Sequence, residues 1–106
     1  MNTVIETREF IDAVPETLRN GIVMELAANP ELGVVIPRTG GLRKARFAAQ
    51  GKGKSGGIRV IYYYYNMDNP LIVLTAYAKG RQGNLTPAQE RELSKLVREL
   101  KKEMKQ

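Results

Sequence analysis

The chain has 106 residues, 17 Lys and Arg against 11 Asp and Glu, a formal net charge of +6 and 42% hydrophobic residues, which suits one domain over 1–106 with its own core. It has no cysteine and no histidine. That excludes disulfide frameworks, thiolate metal sites, the usual general base near neutral pH and every histidine-based triad, so any catalysis runs on Lys, Arg, Tyr and carboxylates.

The first segment, MNTVIETREFID, carries Glu6, Glu9 and Asp12 where a signal peptide needs an apolar centre, and no run reaches membrane-spanning length. A soluble cytoplasmic protein with no membrane partner is the expectation. Thr3–Ile5 is β-branched and reads as a short opening strand. From there Phe10, Ile11 and Val14, then Leu18, Ile22 and Leu26, recur at helical spacing. Pro15 divides the pattern and suits a first turn, so a helix is expected near 7–13 and another near 15–28. Their apolar stripes face a core and their Glu-rich sides face solvent.

Residues 30–41 read as a connector rich in proline and glycine. Strands are expected at 42–49, 58–65 and 71–78, joined by a Gly/Lys loop over 50–57 and the turn Asn66-Met67-Asp68-Asn69-Pro70; together they form an antiparallel meander. Tyr62–Tyr65 alternate faces, so half of them are expected in packing and half within reach of a ligand. A second basic loop, Lys79-Gly80-Arg81-Gln82-Gly83, leaves the last strand. Thr86-Pro87-Ala88-Gln89 then has the form of a capping box with proline in the first turn. The helix that follows presents Leu93, Leu96, Val97, Leu100 and Met104 as its apolar stripe, and its exposed face mixes Glu with Lys and Arg as ordinary surface chemistry. The fold class is therefore α/β (α+β): an antiparallel sheet packed by two N-terminal helices and one C-terminal helix.

Charge is segregated along this frame. Residues 1–37 hold six acids against Arg8 and Arg19, a net −4; residues 38–81 hold nine cations against Asp68, a net +8; residues 82–106 hold six cations against four acids, a net +2. The centre of the positive segment is Arg38–Arg59, with seven cations (Arg38, Arg43, Lys44, Arg46, Lys52, Lys54, Arg59), six glycines and no acid. Clustered Lys and Arg form the footprint of a phosphate polymer, and glycine lets backbone approach a ligand closely. A solvated basic loop is the plainer reading of the same run. Placement favours the first, because the cations sit within and between strand-like runs. Strand alternation puts Lys44 and Arg46 on one face and Ala45 and Phe47 on the other.

If Lys44, Arg46, Arg59, Lys79 and Arg81 converge, the site suits RNA. Cations bind phosphate by charge-assisted hydrogen bonds. They also stabilise the phosphorane formed when a 2′-hydroxyl attacks its own phosphate, and one preorganised donor contributes roughly 10²–10³-fold in rate. No metal or other cofactor is called for. Arginine is a poor base, so Lys44 and Lys79 are the candidates for proton transfer.

The ordered motifs Thr39-Gly40-Gly41-Leu42-Arg43-Lys44-Ala45-Arg46, Gly51-Lys52-Gly53-Lys54, Gly57-Ile58-Arg59-Val60-Ile61-Tyr62-Tyr63, Tyr77-Ala78-Lys79 and Asn84-Leu85-Thr86-Pro87 span nearly the whole chain. In that order and spacing the sequence resembles the RelE/ParE toxin superfamily, and most closely the HigB-type RelE toxins of bacterial type II toxin–antitoxin pairs. The resemblance implies a RelE-like domain that enters the ribosomal A site, contacts ribosomal RNA and cleaves mRNA there without metal, inhibiting translation. It also implies a cognate antitoxin, expected to be acidic against 38–59 or to block ribosome entry sterically. By the same resemblance Lys44 and Arg46 fit the catalytic cation pair, Arg59 the arginine at the scissile region, and Lys79 a further catalytic cation. Arg38, Arg43, Lys52, Lys54 and Arg81 fit RNA- and ribosome-binding roles. Two departures bear on the base: Lys79-Gly80-Arg81 lacks the acid of the K-N-E sequence in many HigB-like members, and no tyrosine follows Tyr77. A ParE-like DNA gyrase inhibitor and a non-catalytic RNA-binding domain remain as the alternative functions.

Overall fold

A computed structural model describes residues 2–48, 57–78 and 85–104. Its elements are β1 (Val4–Glu6), α1 (Arg8–Ala13), α2 (Glu16–Ala28), β2 (Val34–Val35), β3 (Leu42–Phe47), β4 (Ile58–Tyr63), β5 (Leu71–Ala78) and α3 (Pro87–Lys102). The strands form one sheet in the order β1-β5-β4-β3-β2. The β3–β4–β5 meander is antiparallel as the sequence indicates, but β1 pairs parallel to β5, so the sheet is mixed. A parallel neighbour is reached here because α1 and α2 carry the chain away from β1 before the sheet resumes.

Both sheet faces are covered. On one, Phe10, Ile22 and Leu26 from α1 and α2, with Val14 between the two helices, pack on Ala45, Val60, Tyr62, Leu71 and Val73. On the other, Val97 of α3, flanked by Leu93, Leu100 and Met104, packs on Leu42, Ile61, Tyr63, Ile72 and Leu74. Double coverage explains why β4 and β5 read as continuous apolar runs. It also changes the reading of the tyrosines: Tyr62 and Tyr63 are fully buried on opposite faces, and Tyr64 and Tyr65 pack against the two cores in turn. Alternation holds, yet each face offers a tyrosine a core.

Side-chain caps open α1 and α3, the second as the sequence specifies, and Pro15 stands at the N-cap of α2, one position before its first turn. Thr7 caps α1, its hydroxyl accepting from Phe10 N–H at 3.2 Å and donating to the Leu74 carbonyl at 2.8 Å. Thr86 and Gln89 make the reciprocal capping box of α3, with bonds of 2.9 and 3.1 Å. At the α1–α2 corner Arg19 donates to the Val14 carbonyl at 2.9 Å and lies 3.4 Å from Glu6.

The two-residue strand β2 lies inside the segment that reads as a connector. It is held from outside itself. The Tyr62 hydroxyl accepts from Gly33 N–H and donates to the Pro30 carbonyl, both at 2.7 Å, while Arg43 donates to the Gly33 carbonyl at 2.7 Å. Gly33 has no room for a side chain, since a Cβ there would lie 2.6 Å from the Lys44 carbonyl oxygen. These contacts seat Val34 opposite Lys44 and Val35 opposite Arg43.

Candidate functional site

Register decides which cations meet. Arg46 on β3 is the direct partner of Arg59 on β4, and Arg59 is the partner of Tyr77 on β5. One row along, Lys44 faces Ile61. Side chains two apart on a strand share a face, so Lys44 and Arg46 share the face of Leu42, and Arg59 that of Ile61, which is the face covered by α3. Toward β2 that cover ends: Leu32, Val34, Lys44, Arg46 and Arg59 line a shallow recess of about 330 Å³ to which α3 contributes no residue.

Arg46 is exposed, whereas Lys44 and Arg59 are half-buried. No acid among the described residues lies within ion-pair distance of any of the three, since the ion pairs there are Arg8–Asp12, Arg19–Glu6 and Lys102–Glu99. Arg59 Nε is buried with no hydrogen-bond partner among the described residues, as is the hydroxyl of its neighbour Tyr77. Like charges directly opposite on a sheet destabilise it, and buried unpaired donors cost more. The juxtaposed cations are unfavourable for the protein alone, and an anion in the recess would offset their charge. Burial pushes the Tyr77 hydroxyl above the ordinary tyrosine value, while the Arg59 charge acts in the opposite direction.

A larger recess, about 490 Å³, lies between Thr75 and Tyr77 of β5 and the first turns of α3. Its charged lining consists of Glu9 and Glu92. Carboxylates repel phosphate, whereas the smaller recess has Lys44, Arg46 and Arg59 in its lining and no acid.

A family model described as the RelE toxin of the RelE/RelB toxin–antitoxin system matches residues 5–106. The chain belongs to the RelE toxin family. It is therefore a toxin of a toxin–antitoxin system, and a cognate antitoxin is its partner. No helix among the described residues is long and apolar enough to cross a membrane.

In this RelE toxin the structure brings Lys44, Arg46 and Arg59 together. It sends Arg43 to the opposite face, where its guanidinium holds the Gly33 carbonyl beside Tyr62. Arg38 stands elsewhere again, exposed in the β2–β3 turn with φ of 62°, against the outer side of α3. Lys52, Lys54, Lys79 and Arg81 lie outside the described residues. The strand ends from which their segments leave, Phe47, Ile58 and Ala78, are mutual register partners beside the Arg46–Arg59–Tyr77 row. Tyr77 is the member of the row that residue-type reasoning passes over. Its signal was its place two residues before Lys79 at the end of a strand, which gains meaning only once β5 is set against β4.

Proposed function

We propose that this toxin is an endoribonuclease of the HigB type that cuts mRNA in the ribosomal A site by attack of a 2′-hydroxyl on the adjacent phosphate, with side-chain cations in place of a metal. The observation that carries the reading is the unneutralised trio Lys44, Arg46 and Arg59 on one sheet face, two of them in direct cross-strand register.

In the reaction the O2′–P bond forms and the P–O5′ bond breaks, leaving a 2′,3′-cyclic phosphate and a 5′-hydroxyl. Arg46 and Arg59 stabilise the phosphorane as its negative charge grows, an effect worth roughly 10²–10³-fold for one well-aimed donor. The 2′-proton has to leave and the 5′-oxygen has to gain one; Lys44 and Lys79 are the residues proposed for these transfers, because an arginine holds its proton too tightly. Lys52, Lys54 and Arg81 are proposed to hold RNA phosphates around the cut, Arg38 to hold RNA away from it beside α3, and the ribosome is proposed to present the codon. Arg43 serves this arrangement through Gly33 and β2.

The chemistry is tested with an mRNA carrying a single 2′-deoxynucleotide at the mapped cleavage position on programmed ribosomes. Cutting should stop at that nucleotide, and unmodified mRNA should yield a 2′,3′-cyclic phosphate end. Cleavage that persists through the deoxy position would overturn the mechanism.

A further inference from the structure

In the sequence the exposed face of α3 reads as mixed charge, but on the helix the charges sort. At about 100° per residue, Arg91, Lys95, Arg98 and Lys102 fall within an arc of about 60°, and Glu92, Glu99 and Glu103 occupy a neighbouring arc of about 40°. All four cations are exposed. From Arg91 to Lys102 the stripe runs about 16 Å along the axis. Arg38 extends it off the helix, for it lines a shallow recess of about 460 Å³ with Arg91, Lys95 and Arg98. Glu90 and Glu92 also border that recess. Of the five cations, Lys102 alone has an acid within ion-pair distance among the described residues, Glu99 at 3.7 Å.

Arg38 is the one non-glycine residue with positive φ among those described. An arginine keeps that conformation only where its surroundings fix it. Here Thr39 does so: its buried hydroxyl donates to the Ile36 carbonyl at 2.6 Å and accepts from Leu42 N–H at 3.1 Å.

We propose that this stripe is a second RNA-binding surface, separate from the Lys44–Arg46–Arg59 face, and that it takes the phosphate backbone of a double-stranded RNA element. The proposal rests on the reading of the toxin as acting on RNA. The two recesses share no lining residue. Single strands are held by bases stacked on aromatic rings, and α3 has no aromatic residue. Duplex RNA is instead gripped by its phosphates and riboses, which a row of Lys and Arg on a convex helix can follow.

The test is fluorescence anisotropy of the full chain with an RNA duplex of about 20 base pairs, longer than the ~16 that a duplex-binding domain spans. The duplex carries 2′-O-methyl riboses, which removes the nucleophile and makes binding independent of cleavage. The combined variant Arg91→Gln, Lys95→Gln, Arg98→Gln keeps good helix formers at exposed positions, and its fold is checked by circular dichroism. It should bind about tenfold more weakly or worse near 100 mM salt, with the slope of log K against log salt shallower by about two to three, near 0.9 for each phosphate that the variant no longer neutralises. Glu92→Gln with Glu99→Gln should not weaken binding. Unchanged affinity in the triple variant, or a loss with unchanged slope, overturns the proposal. Tighter binding to the unpaired strand of the same sequence overturns it as well. Should ribosomal cleavage fail while the α3 variant still loses duplex binding, the cleavage reading falls and this surface stands.

Discussion

Arg46→Gln should make the protein more stable while disabling it. Arg46 and Arg59 are direct partners in the β3–β4 register with no acid in ion-pair range. Cross-strand Cβ atoms lie about 5 Å apart, so the guanidinium charges sit at roughly 7 Å. At that distance the repulsion is about 0.6 kcal/mol for a dielectric of 80 and about 1.2 kcal/mol for one of 40, the range suited to an exposed Arg46 beside a half-buried Arg59. Glutamine keeps two of the three stem methylenes and removes the charge. In urea denaturation near 10 mM salt, where the Debye length is about 30 Å, the variant should gain about 0.5–1 kcal/mol with the m-value unchanged. At 1 M salt the Debye length falls to about 3 Å, and most of the gain should vanish. The same variant should cleave mRNA at least tenfold more slowly. A loss of stability at low salt, or a gain that survives 1 M salt, would refute the claim that this pair is held in mutual repulsion.

Tyr62→Phe removes one hydroxyl that serves Gly33 N–H and the Pro30 carbonyl, and should cost about 2–3 kcal/mol in urea unfolding, because buried Gly33 N–H is left unpaired. Gly33→Ala should destabilise by about 1–3 kcal/mol, since its Cβ would press on the Lys44 carbonyl and the Tyr62 ring; thermal melting measures this. Burial raises the pKa of Tyr62, Tyr63 and Tyr77, so these three of the five tyrosines should ionise late in an absorbance titration at alkaline pH. The unfolded chain loses these protons first, so their contribution to stability is fully present below the unfolded value near 10 and is lost as pH rises from there through the higher folded values. Denaturation midpoints that stay flat above pH 10 would contradict it.

Local signals carried much of the fold. Thr86, Pro87 and Gln89 specify the start of α3 because capping is decided within four residues, and the apolar periodicity around Phe10, Val14, Ile22 and Leu26 specifies α1 and α2. Lys44 and Arg46 share a face by alternation alone. What the sequence withheld was long-range. The parallel pairing of β1 with β5 joins residues more than sixty positions apart, and no residue within β1 encodes its direction. Strand β2 is two residues between prolines and a glycine, and it exists because Tyr62 and Arg43 reach in from other strands. Arg43 illustrates the limit most plainly: it stands in an unbroken basic run, and only the structure shows its guanidinium on the opposite face, holding the Gly33 carbonyl. The Arg46–Arg59–Tyr77 row depends on two registers at once, which composition and periodicity leave free. The sorting of charge on α3 was legible at helical period, but it acquires a direction only when Arg38 is placed beside it.

Whether the cationic sheet face performs ribosome-dependent RNA cleavage is decided by mRNA cutting with the purified toxin. The comparison is wild type against Arg59→Ala, with and without programmed ribosomes, the variant's fold being confirmed by its melting curve. Cuts should require ribosomes, and they should disappear, or fall by at least 10²-fold, in the folded variant. Undiminished ribosome-dependent cutting by Arg59→Ala would contradict the assignment of this face as the active site.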